Sequence, residues 1–168
     1  MKRELTLADV IGYLPHRLVC MKPSGSMDIW VGIKGFQYPE MPDMWKPILR
    51  PMSDLYAKIT DRGYNNGKPF VPIMELAELI GSTDACMWMF QPENTRVYSH
   101  EYSWCFRWDF DSMAFRLYDS PQEDVLGNVI PATHNLYDLL HRLKFDYRGL
   151  IDAKLAVSVH DLPTNPYE

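Results

Sequence analysis

Few cysteines, no excess of positive charge and no long apolar run set the first limits on this 168-residue chain. Cys20, Cys86 and Cys105 are odd in number, far apart and never in a CxxC pair. Neither a disulfide framework nor a zinc knuckle is signalled, and reduced thiols are expected. The net charge is −5 without any run of Lys or Arg, so the electrostatic footprint that a phosphate backbone selects is missing. Nucleic acid is a disfavoured partner; binding it would require Arg50, Lys58, Arg62 and Lys68 to gather on one surface. No stretch approaches the ~20 apolar residues of a spanning helix, and Glu4 and Asp9 interrupt what would be the apolar core of a signal peptide. No membrane partner is expected, and the expected location is the cytoplasm. Phosphate-loop, GxGxxG and HExxH patterns are missing, and no cysteine lies in a recognisable nucleophile sequence. No cofactor is indicated, and an enzymatic role is not favoured.

What the chain has is a composition that folds: 46% apolar and 23% charged residues, too apolar for disorder. A single domain over 1–168 is expected, with a short irregular tail from about residue 161. Leu7, Val10, Ile11 and Leu14 recur at helical spacing behind Thr6 as cap, with Asp9 at N3 and Pro15 as stop. Residues 18–21 and 28–33 flank Pro23-Ser24-Gly25-Ser26 and read as a hairpin. Residues 35–47 mix Gly35, Pro39, Pro42 and Pro47 with apolar side chains, which predicts an irregular packed loop. Residues 48–51 read as extended, Ser53 as the cap of a helix to about residue 59, and 61–67 as a turn. Pro72 opens a helix whose stripe is Ile73, Leu76, Ala77 and Ile80, with Gly81 at C′.

From Cys86 to Tyr118 the period becomes two, with Trp88, Phe90, Tyr98, His100, Tyr102, Trp104, Phe106, Trp108 and Phe110 all at even positions. This predicts an antiparallel meander, with hairpin loops at 91–95 and at Asp111-Ser112, and makes the aromatic row its buried face. Asn135 is expected to cap a last helix running to about Tyr147, with Asp138 at N3 and Leu136, Leu139, Leu140, Leu143 and Tyr147 as its stripe, ended by Gly149. Residues 155–159 alternate as a final strand. The fold class is therefore α+β: a meander with an aromatic core face, packed with about three to four short helices.

Ile48-Leu-Arg-Pro-Met-Ser-Asp-Leu55, Phe70-Val-Pro-Ile-Met-Glu-Leu76 and Phe145-Asp-Tyr-Arg-Gly-Leu-Ile151, in this order, resemble short uncharacterised proteins encoded in prophage and mobile-element regions of gut bacteria. The resemblance covers about two thirds of the chain. It implies a compact phage-related domain and carries no catalytic residue.

Several side chains are candidates for chemistry. Asp109 and Asp111 share a face opposite the aromatic row, where two carboxylates in unlike surroundings can divide acid and base roles. His100 would be a third polar group of a small-ligand or hydrolytic pocket beside residues 98–111, although alternation points it to the other face. The simpler reading is a solvent-facing strand on which Arg107 pairs with Asp109 or with a cross-strand acid. His134, Asp138 and His141 recur at i, i+4 and i+7, a spacing that suits a transition metal. Asp138 competes with that role as the partner of Arg142. Met41, Met44 and Trp45 sit among prolines, in a composition that suits docking to another protein or to a second copy of this chain. A non-enzymatic accessory or protein-interaction role is the leading expectation.

Overall fold

The structure, a computed structural model, describes residues 3–30, 45–82, 84–88, 96–99, 104–118, 128–129 and 134–168, without the side chains of residues 30, 88, 104, 118, 128 and 129. The class is α+β, with two β-sheets and three α-helices among the described residues. The chain divides into two compact units. One comprises Met1–Met52, Thr60–Lys68 and Asp138–Glu168, and the other Ser53–Ile59 and Pro69–Tyr137.

The first unit opens with α1 (Leu7–Val10). Asp9 organises it: Oδ2 accepts from the Thr6 N–H at 3.0 Å and the Thr6 hydroxyl at 2.8 Å, and Oδ1 accepts from Arg3 at 2.7 Å. The helix stops well before Leu14. Pro15 has no N–H for the Ile11 carbonyl, so the chain turns at residues 11–13 and Pro15 lies inside a 3-10 turn, Leu14–His16. Strands β1 (Leu18–Met21) and β2 (Met27–Trp30) form the expected hairpin, in register from Leu18↔Trp30 to Met21↔Met27. Its tip uses Gly25 at φ +82°, where a side chain would be strained. Strand β3 (Lys46–Leu49) starts earlier than expected and contains Pro47; it pairs antiparallel with β1.

The sheet is completed by a short strand at Val157–Ser158, parallel to β3, giving the order β2-β1-β3 and then this last strand. Alternation along β1 sends Leu18 and Cys20 to one cluster, with Val10, Tyr13, Leu14, Leu49, Leu150 and Ala156, and Val19 to a second, with Ile48, Val159 and Tyr167. Each such buried aliphatic side chain contributes about 1.5–3 kcal/mol of burial energy. The closing residues are irregular, but Tyr167 ties them to the sheet. Its hydroxyl donates to the Ile48 carbonyl at 2.7 Å and accepts from the Val19 N–H at 3.2 Å.

The second unit holds α2 (Pro72–Leu79), with Pro72 in the first turn and Ile73, Leu76 and Ala77 buried as expected; Ile80, expected in the same stripe, is instead the half-buried C-cap, and Gly81 follows at φ +99°. Where a helix from Ser53 was expected, a 3-10 helix spans Met52–Tyr56. Strands β4 (Ala85–Trp88), β5 (Arg96–Ser99), β6 (Trp104–Asp109), β7 (Ala114–Tyr118) and β8 (Asn128–Val129) form an antiparallel meander in chain order, and α2 packs on β4 and β5. The last strand of the first sheet is accordingly β9.

The aromatic row is shorter than the even numbering implied. Register pairs Val97 with Phe106 and Tyr98 with Cys105, so Val97 and Ser99 share a face with Phe106 and Trp108 and Tyr98 lies on the other. β5 and β6 run antiparallel in a register that sets odd-numbered residues opposite even-numbered ones. On the core face Phe106 stacks on Phe115 at 5.1 Å between centroids, and Trp108 meets Phe115 edge-on at 4.9 Å. Trp108 is buried, and its backbone N–H donates to the Tyr56 hydroxyl at 2.9 Å. The opposite face is not the solvated one expected, because Cys105 and Arg116 are buried on it.

Helix α3 (His134–Arg142) buries Leu136, Leu139 and Leu140, with Leu143 buried just beyond. It begins at His134, so Asn135 is not its cap and Asp138 is not at N3. It also ends five residues before Tyr147. Lys144 adopts φ +61°, and the bonds from Phe145 N–H to the Leu140 carbonyl and from Lys144 N–H to the His141 carbonyl close a Schellman-type end. Phe145 then bridges Arg50 in parallel. Asp146 shapes the next turn by accepting from the Leu150 and Ile151 N–H groups at 2.8 and 2.7 Å, with Gly149 at φ +67°.

Candidate functional site

Among the described residues of the second unit, the turn between β6 and β7 brings two exposed apolar side chains together. Asp109 fixes it: Oδ2 accepts from Arg116 Nε at 2.6 Å and from the Ser112 hydroxyl at 2.7 Å, and Oδ1 accepts from the Asp111 N–H at 3.2 Å. The Ser112 hydroxyl, joined by Arg116 and the Asp111 N–H, holds the Asp109 carboxyl below the usual range, although burial opposes this. Asp109 is therefore an ionised turn clamp. Arg107 and Arg116 stand directly opposite one another in register, and the expected Arg107 pairing with Asp109 is taken instead by Arg116, whose guanidinium reaches it across the turn. Met113 closes the turn at φ +51°. On this clamp Phe110 and Met113 are 46% and 38% exposed. Phe110 is thus not part of the buried aromatic row.

Asp109 and Asp111 meet only through the Asp111 backbone, and Asp111 is exposed. His100 lies outside the described residues. So do Met41 and Met44, while Trp45 is partly buried against the cluster of Val10, Leu18 and Leu49, with Lys22 Nζ 5.0 Å from its ring centroid.

The metal candidates diverge. His134 is exposed, and Asp138 reaches His16 Nε2 at 3.5 Å. His141 packs edge-on against Tyr13 at 4.8 Å, and its Nε2 lies 2.8 Å from the Tyr147 hydroxyl, which also accepts from Arg148 Nε at 3.0 Å. Burial, reinforced by His16 and Arg148 and opposed by Asp138, lowers the His141 pKa to about 4, so the ring is neutral at pH 7. Among the described residues no three His, Cys, Asp or Glu side chains come together as metal ligands. None of the three cysteines is in a disulfide. Cys20 and Cys105 are buried, with burial pushing the Cys20 thiol up to about 12, and Cys86 is exposed.

A second constellation, in the first unit, is charged and buried. Arg50 is 1% exposed. Its Nη2 donates to the Thr60 carbonyl at 3.0 Å and lies 3.5 Å from Asp61 Oδ2; Nη1 is 3.9 Å from Glu168. Lys144 Nζ is 3.7 Å from the same Asp61 oxygen. Both cations face the Tyr167 ring, at 5.7 and 4.8 Å from its centroid. Burial, with Arg50 and Arg142 adding to it and Asp61 opposing, lowers the Lys144 pKa. Burial of Arg50 also removes it from any basic surface patch with Arg62 and Lys68.

The turn at Asp111-Ser112 was legible in the sequence, but the exposure of Phe110 and the burial of Arg50 and Lys144 were not. An exposed aromatic at the end of an alternating row reads as one more core residue, and lone cations read as surface. The signal within reach was Asp109-Phe-Asp-Ser112, a turn sequence whose first carboxylate can serve its own backbone two residues on. No helix among the described residues is long and apolar enough to cross a membrane. Comparison of the chain with models of protein families, with curated proteins and with solved structures gives no match.

Proposed function

We propose that this chain is a non-enzymatic, cytoplasmic interaction protein of phage or mobile-element origin that docks on a partner protein through the β6–β7 turn. The observation that carries the reading is the pairing of two exposed apolar side chains, Phe110 and Met113, with a turn clamped by Asp109, Ser112 and Arg116. Aromatic residues and Met are enriched at the centres of protein interfaces. Holding them on a prearranged turn lowers the ordering cost of association. The convex shape of a turn calls for a partner with an apolar groove. The origin rests on the resemblance carried by the segments beginning at Ile48, Phe70 and Phe145.

Photo-crosslinking tests the reading. With benzoylphenylalanine in place of Phe110 in producing cells, one discrete adduct is expected, to another protein or to a second copy of the chain. The same group at exposed Asp152 is the control. Identical diffuse labelling from both positions would refute the proposal.

A further inference from the structure

Buried cations are normally paired closely, because an uncompensated charge out of water is costly. Charge-assisted N–H···O bonds run about 2.7–2.9 Å. The cluster around Asp61 departs from this. Arg50 and Lys144 share one carboxylate oxygen at 3.5 and 3.7 Å, while the other oxygen of Asp61 is committed to the Gly63 N–H at 2.8 Å. Among the described residues Arg50 Nε is buried without a hydrogen-bond partner. The Glu168 carboxylate stands 3.9 Å from Nη1, beyond hydrogen-bonding reach, on a side chain that is 50% exposed. Arg142 brings a third cation to the same turn: it donates to the Gly63 carbonyl at 3.0 Å, with its guanidinium 5.0 Å from the Tyr64 ring centroid. Arg50 and Lys144 therefore share one carboxylate, and the second, Glu168, sits half-exposed with its Oε1 accepting from Asn165 Nδ2 at 2.9 Å.

We infer that the place beside Arg50 taken by the Glu168 carboxylate is a binding site for a phosphate dianion, free or as a small monoester, with Glu168 as a tethered, displaceable stand-in. When Glu168 swings out, Arg50 and Lys144 are left sharing Asp61, with Arg142 adding positive charge at the Gly63 turn, and a dianion offsets the excess. Arg50 supplies the bonding fork, and Lys144 and Arg142 supply charge.

The test is thermal unfolding of the full chain against inorganic phosphate, and separately phenyl phosphate, at constant ionic strength balanced with chloride. A saturable rise in Tm is expected. Glu168→Gln should tighten apparent binding about three- to fivefold, the size of one partly screened charge pair. Arg142→Gln, at an exposed position, should weaken it by a similar factor. Tighter binding of phosphate than of phenyl phosphate would identify a free-anion site, and the reverse an ester site. No saturable shift, or a shift that neither substitution alters, would overturn the inference.

Discussion

Gly12 gives the sharpest test of the packing, because two physical arguments predict opposite signs for Gly12→Ala. Its φ is not left-handed, so alanine fits the backbone, and the loss of unfolded-state freedom alone would stabilise the protein by about 0.4–1 kcal/mol. The contacts argue the other way. A Cβ at residue 12 would overlap Cε1, Nε2 and Nδ1 of the His141 ring, which is pinned between Tyr13 and Tyr147. To admit it the ring must move. Overpacking of this kind costs about 1–3 kcal/mol, and losing the hydrogen bond to Tyr147 about 0.5–1.5 kcal/mol. The net expectation is destabilisation by about 1–3 kcal/mol, read from urea unfolding midpoints at constant m. In a His141→Ala background the obstacle is gone, and Gly12→Ala should become neutral or stabilising, a coupling of at least about 1.5 kcal/mol. Equal effects in both backgrounds, or a stabilised single variant, would refute the packing described for α3 against residue 12.

Asp109→Asn should destabilise the protein by about 1.5–3 kcal/mol, the cost of a charge-assisted bond whose Arg116 partner stays buried, and urea unfolding would show it. Tyr167→Phe leaves the Ile48 carbonyl and the Val19 N–H without their side-chain partner and should cost about 1–3 kcal/mol in the same assay. The folded pKa of His141 is about 4 against an ordinary 6.5, so the unfolded chain takes up its proton first as pH falls. Stability is therefore full above about pH 6.5 and declines toward pH 4, and His16, also lowered mainly by burial, adds in the same direction. His141→Gln should flatten that decline in unfolding free energy measured against pH, and an unchanged slope would contradict the assignment.

The parts of the fold that were legible in sequence are local. Pro72 to Gly81 carries its own start, stripe and stop, and the Pro-Ser-Gly-Ser tip fixes its hairpin, so neighbours had little to override. The parity change between β5 and β6 was invisible because His100-Glu-Tyr-Ser103 contains no Gly, Pro, Asn or Asp to mark a reversal, and the even-numbered aromatics run through it. The end of α3 was equally hidden: Lys144 adopts a left-handed conformation that glycine normally takes, and it is held there by bonds its own sequence does not announce. That end decides what Tyr147 can reach, since it returns the side chain to His141 in place of continuing the leucine stripe. Burial of Arg50 and Lys144 depends on Asp61 and Tyr167, which are distant in sequence, and no local pattern encodes such a meeting.

The central claim is that the β6–β7 turn is an outward docking prong and not a piece of core. The most direct measurement is the yield of the crosslinked adduct from position 110 in a Met113→Asp variant, with the unfolding midpoint taken on the same sample. Aspartate tolerates the left-handed backbone at this position, so the midpoint should stay within about 1 kcal/mol of the parent while the adduct disappears. An adduct of unchanged yield, or a loss of stability of about 3 kcal/mol or more as for a core truncation, would contradict the account.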